Sequence, residues 1–265
     1  MILEEIAAKT KERIAAEKVR LPLKELKAAA ADTKRPEGFP FEEALKRPGM
    51  SFICEVKKAS PSKGVIAGDF PYEEIAREYE RAGAAAISVL TEPYYFQGKD
   101  SYLREIRQRV SIPLLRKDFT VDEYMIYQAR EMGADAVLFI CAILSPMQLQ
   151  EYLGLAGELG LSALTEAHDE REVEMALLAG SPIVGVNNRN LKDFSVDICN
   201  SIRLRKLVPK QVLFVSESGM KTREDIERLE KNGTDAVLIG ETLMRSPEKG
   251  ALLKKLSGAS GGLGL

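Results

Sequence analysis

Short apolar runs recur along this chain, and each one meets a polar residue or a glycine at its end. The stops are Glu55 with Lys57, Thr91, Lys117, Cys141, Glu166, Asn187, Glu217 and Gly240. Between the runs lie amphipathic stretches with the helical repeat, such as YEEIAREYERAG and TREDIERLEKNG. One phrase returns four times, as RAGAAAISVL, EMGADAVLFI, LAGSPIVGVN and KNGTDAVLIG. In every copy a helical pattern stops at a glycine (Gly83, Gly133, Gly180, Gly233) and a β-rich run follows at once. The glycines recur about every fifty residues, room for two strand–helix units, so these copies mark the even-numbered strands. SFICEVK, IPLLRK, LSALTE and QVLFVSE supply the odd ones. Eight strands alternating with helices predict an α/β chain folded as a (β/α)8 barrel in one domain over residues 1–265; an open doubly wound sheet is the competing layout. Residues 1–50 are additional, with a charged helix over 2–18 and a connection containing Pro and Gly from Lys34 to Gly49. The tail GASGGLGL, residues 258–265, reads as flexible.

In such a barrel the residues at the C-terminal strand ends line one open face. Strand alternation then sets which of them point inward. With Ile53 in the core, Glu55 and Lys57 share its side; Lys117 shares the side of Leu115, while Arg116 faces the helices. A lysine sheltered by apolar walls beside another cation is expected to have its ammonium disfavoured, which suits a general acid. Glu166 is the matching base candidate. His168, the single histidine, follows it in a loop and reads as structural or solvated. Ser60, Pro61, Ser62 and Gly64 form a polar turn suited to an oxyanion. Asn187 and Arg189 offer hydrogen bonds to substrate oxygens, and Glu217 faces inward on the seventh strand. The loops after strands seven and eight, with Ser218, Gly219, Gly240 and Glu241, form the expected phosphate cradle.

Composition removes several other classes. The chain has 265 residues, 38 basic and 40 acidic, for a formal charge of −2. That balance supplies no strong field for nucleic acid or an anionic membrane. Cys54, Cys141 and Cys199 are too few and scattered for a disulfide framework and lack metal-ligand spacing; the first two read as buried small hydrophobes. The start lacks the apolar core of a signal peptide, and no later run reaches the ~18 apolar residues of a membrane helix, so a soluble, cytoplasmic protein is expected.

The set ICEVKKASPSKG, LTEPYYFQG, LLRKDFTVDEYMIYQAR, LTEAHDE, VGVNNRNL, VSESGM and LIGETLMR resembles the indole-3-glycerol phosphate synthase family, in order, from the first helix to about Arg245. The resemblance implies a (β/α)8 barrel with an extra N-terminal helical segment. It implies conversion of 1-(2-carboxyphenylamino)-1-deoxyribulose 5-phosphate to indole-3-glycerol phosphate, carbon dioxide and water, without metal or organic cofactor. It implies Lys117 as general acid, Glu166 as acid or base for loss of water, and Glu55 with Lys57 as an ion pair ordering the substrate. Ser60, Asn187 and Glu217 would position the substrate, and Phe96 and Phe119 would wall the anthranilate ring. Ser218, Gly219 and Gly240 resemble the phosphate site, to which Glu241 would offer its backbone N–H. Strand four, ending ICAIL, receives no catalytic role. The expected partner is the small phosphorylated substrate, with the chain a monomer or weak homodimer. Two alternatives stay open: a phosphoribosyl isomerase barrel, whose chemistry would suit an Asp or Cys at strand ends one and five, and a barrel that binds phosphorylated metabolites or a partner enzyme without catalysis.

Overall fold

A computed structural model describes residues 2–33, 37–190 and 193–259. Eight parallel strands close into a ring: β1 (Ser51–Val56), β2 (Ala86–Leu90), β3 (Leu114–Lys117), β4 (Ala136–Ile140), β5 (Ser162–Ala167), β6 (Ile183–Asn187), β7 (Leu213–Glu217) and β8 (Ala236–Ile239). Each pairs with its sequence neighbours, and β1 closes on β8 with Ile53 opposite Leu238. The open-sheet alternative is thereby excluded.

Alternation along the strands divides the apolar residues into two layers. Ile53, Leu115, Leu138, Leu164, Ile183, Val215 and Leu238 pack together inside the ring. Phe52, Cys54, Ile87, Val89, Phe139, Val184, Phe214 and Val237 pack outward against the helices. Those helices are α4 (Tyr72–Arg81), α5 (Asp100–Arg107), α6 (Glu123–Glu131), α7 (Pro146–Glu158), α8 (Glu170–Leu178), α9 (Cys199–Leu204), α10 (Arg223–Lys231), α11 (Glu241–Arg245) and α12 (Lys249–Ser257). The four repeat glycines have φ between 79° and 95°, the left-handed turn that carries each helix end into the next strand.

The N-terminal segment is more helical than its sequence suggests. The first helix, α1, runs Ile2–Arg20, and two more precede the barrel, α2 (Leu23–Asp32) and α3 (Pro40–Leu45). The third lies inside the stretch read as connection, started by Pro40 at its first turn. Leu26 of α2 and Phe41 and Leu45 of α3 are buried. Among the described residues no helix is long and apolar enough to cross a membrane. Residues 34–36 of the connection and 260–265 of the tail lie outside the described residues.

Candidate active site

The strand ends surround a cavity of about 870 Å³ whose floor is apolar, with Leu90, Leu138, Ile140 and Leu238. Its rim holds Glu55, Lys57, Ser60, Phe96, Lys117, Phe119, Glu166, Asn187, Arg189, Glu217, Ser218, Gly219, Gly240 and Glu241. These expected site residues therefore line one cavity, joined by Pro61 and Ser62 of the polar turn, while Gly64 of that turn lies outside it. Ile140 supplies floor at the end of β4, and Ile2, Leu3 and Ile6 bring a wall from α1.

Lys117 sits at the centre of the charge. Its Nζ donates to Glu217 Oε2 at 2.5 Å and to Glu166 Oε2 at 3.3 Å. Beside it Lys57 pairs with Glu55 at 2.5 Å. This arrangement reverses the expectation that the Lys117 ammonium is disfavoured. Burial does oppose the charge, but Glu217, Glu166 and Glu55 outweigh it and hold the proton far more firmly than in free lysine. The carboxylates diverge. Burial works against the Glu166 charge too, yet Lys117, His168 and Asn187 hold it well below the ordinary range. For Glu217, burial and the Glu166 and Glu55 charges win over Lys117 and push the carboxyl above it. Glu217 Oε1 is buried without a hydrogen-bond partner among the described residues.

Two close approaches make room for these groups. A Cβ at Gly185 would lie 2.3 Å from Glu217 Oε1, and one at Gly240 would lie 2.2 Å from Glu55 Oε1 and 2.9 Å from Lys57 Nζ. Gly240, expected at the phosphate, thus also clears space for the Glu55–Lys57 pair.

The aromatic wall is built by two carboxylates that the strand pattern alone does not single out. Glu92 is buried and accepts the N–H groups of Tyr94, Tyr95 and Phe96 at 2.9, 2.7 and 3.0 Å. Asp118 accepts the N–H of Phe119 at 2.8 Å, and Arg13 Nη2 of α1 donates to both its carboxylate oxygens at 3.0 and 2.9 Å. The Phe96 and Phe119 rings are held 6.0 Å apart. A carboxylate within two residues of a strand end, as in LTE and RKD, is the signal that could have found both.

In the expected phosphate cradle, Ser218 has φ 69° and Gly219 φ 97°. The Ser218 N–H points at Leu238 O at 3.4 Å, so that donor is weakly engaged already. The Glu241 carboxylate lies 3.5 Å from Arg189 and 3.1 Å from Arg245, turned to the arginines. Lys63 and Arg245 add cations to the rim. His168 is not solvated: its side chain is 18% exposed and its Nε2 lies 3.4 Å from Glu166 Oε1. Cys54 and Cys141 are buried, and burial pushes both thiols up.

The chain resembles known proteins over nearly its whole length. Residues 3–256 match the family model described as indole-3-glycerol phosphate synthase. The protein of that name from Ruminiclostridium cellulolyticum is 57% identical, over 98% of this chain and 100% of the relative. The one from Endomicrobium trichonymphae is 54% identical, over 97% and 99%. Among solved structures, 3-hexulose-6-phosphate synthase from Salmonella typhimurium superposes with a TM-score of 0.65 at 14% identity, covering 79% of this chain and 97% of that one. That likeness is one of fold. With matching sequence over nearly its full length, a closed eight-stranded barrel and a rim of paired lysines and carboxylates, the chain belongs to the indole-3-glycerol phosphate synthase family.

Proposed function

We propose that Lys117 and Glu166 divide the chemistry of the family's reaction, ring closure and decarboxylation followed by loss of water. The observation that carries this reading is one lysine ammonium held between two buried carboxylates, Glu166 and Glu217, over an apolar floor. Phe96 and Phe119 grip the anthranilate ring while the loops after β7 and β8 hold the phosphate, which bends the chain between them into reach.

A carbon–carbon bond then forms between the ring carbon bearing the carboxylate and the ketone carbon, and the ketone oxygen takes the Lys117 proton. Carbon dioxide leaves its bonding pair to the ring and restores aromaticity. Glu166 next takes a proton from the neighbouring carbon and gives it to the departing hydroxyl, which leaves as water. Loss of the Lys117 charge makes Glu166 a stronger base at that moment, because its main cationic partner has gone. Lys117 regains a proton from solvent. Glu55 and Lys57 order the substrate, Ser60, Asn187 and Arg189 meet its polar groups, and Glu217 Oε1 accepts from a substrate hydroxyl. The phosphorylated substrate is the partner, and the chain acts in the cytoplasm as a monomer or weak homodimer.

A single-turnover experiment separates the two residues. Glu166→Gln should release carbon dioxide well ahead of indole fluorescence, whereas Lys117→Ala should lose both signals together. Equal loss of both signals in Glu166→Gln would remove Glu166 from the dehydration step.

A further inference from the structure

His168 is absent from the cavity lining, yet it touches the carboxylate at the centre of the chemistry. It stands two residues beyond Glu166 as β5 hands over to α8. Asp169 caps α8 by accepting the Glu172 N–H at 2.9 Å. Glu172 reaches back, and its Oε2 accepts both the His168 backbone N–H at 2.8 Å and Nδ1 at 2.9 Å. The ring is therefore fixed from behind by the same contacts that start the helix. Its other nitrogen, Nε2, is buried, makes no directed hydrogen bond among the described residues, and has Glu166 Oε1 at 3.4 Å. With a carboxylate oxygen at each nitrogen, only a doubly protonated ring donates to both.

We propose that His168 is a positioning residue for Glu166: clamped by Glu172, it presents a protonated Nε2 to Oε1 from behind the cavity wall and takes over that carboxylate when Lys117 gives up its proton. Asn187 Nδ2 lies 3.3 Å from the same oxygen and Lys117 3.3 Å from the other. Once Lys117 is neutral, the imidazolium is the remaining cation against Glu166. The charges around the ring favour this state. Glu166 lies on β5, Glu172 and Asp169 at the start of α8, and Cys141 after β4 keeps its proton. Asn200 of α9 donates to the His168 carbonyl, and Arg203 pairs with Glu170 at the surface. Burial opposes the imidazolium, and Glu166 and Glu172 outweigh it, lifting the ring to about 10.

The inference rests on Glu166 being the acid–base residue, and the test keeps the two ideas apart. The chain has one histidine, so nitrogen-15 NMR of the untagged protein reads this ring alone. Two protonated nitrogens at pH 7.5 are expected, with titration at least about two units above the ordinary 6.5. A neutral ring at that pH overturns the proposal, whatever Glu166 does. His168→Gln keeps an N–H donor without the charge. It should lower kcat about tenfold with KM within about twofold, and raise the acid-side pKa of kcat/KM by about one unit, because Glu166 loses a cation. Glu172→Gln should move the same limb in the same direction, and it stands in if the first variant does not fold. An unmoved acid limb in the folded variants also overturns the proposal. A fully active Glu166→Gln enzyme would instead remove the base assignment itself.

Discussion

Lys117 owes its charge to its neighbours. Inside an apolar ring it would shed its proton, but the carboxylates of β5 and β7 close on it from both sides. Lys117→Ala should cut turnover by at least ~10²-fold while substrate binding stays within several-fold, since a proton donor acts chiefly in the transition state. Unchanged steady-state turnover would exclude it. Glu166→Gln keeps shape and loses proton exchange, so turnover should fall with the thermal midpoint held; loss that tracks stability across substitutions would make Glu166 structural. At this scale the sequence is legible wherever alternation along one strand decides direction, as for Glu55, Lys57 and Lys117. It is silent on charge state. The hydrogen-bonded carboxylates that raise the Lys117 pKa sit 49 and 100 residues away, and no local pattern pairs them. His168 escapes a sequence reading for a different reason: Glu166 and Glu172 are near in sequence, but only the turn from β5 into α8 brings both carboxylates onto its ring.

The N-terminal helix α1 reaches the site through the apolar wall of Ile2, Leu3 and Ile6 and through one buried ion pair, Arg13 with Asp118. Asp118 keeps Arg116, Thr91 and its own contact to Phe119 when Arg13 is removed. Arg13→Ala should therefore cost about 1–3 kcal/mol, the penalty for a buried acceptor losing part of its company, measurable by urea unfolding at pH 7. Burial works against the Asp118 charge, but Arg13 and Arg116 hold its carboxyl below 3.8. Stability from a lowered carboxyl is present above the unfolded pKa and lost as pH falls through the folded one, so the gap between wild type and Arg13→Ala should narrow below about pH 4. A gap constant from pH 7 to 3 would assign the loss to packing. In the loop after β7, a side chain at Gly219 would meet Val196 at 2.6 Å with φ at 97°. Gly219→Val should weaken a phosphorylated product far more than its dephosphorylated analogue in calorimetry; equal weakening of the two ligands would mean that the change distorts the whole pocket and leaves the phosphate cradle unassigned. Elements with a strong repeat are legible in full. The helices α2 and α3 are not, because one is alanine-rich with few apolar anchors and the other spans six residues, and both are held by burial against the barrel.

At the scale of the molecule, the fourfold glycine phrase carries the architecture, since each copy fixes a helix end and a strand start together. What it cannot carry is closure, which depends on β1 meeting β8 across nearly the whole chain. That seam has a consequence in time. Glu55, Lys57 and Lys117 arrive with the first four strands, while Glu166, Asn187 and Glu217 arrive with the last four. On the proposed roles neither set suffices alone, and Gly240, the notch that admits the Glu55–Lys57 pair, belongs to the final strand end. The enzyme is thus born late, at the event that stitches the two ends together, and long-range pairing of that kind is the slow part of folding. In refolding from urea, far-UV circular dichroism should recover first and indole-forming activity last; activity that returned in step with the earliest helical signal would place the birth of the site before the seam is sewn.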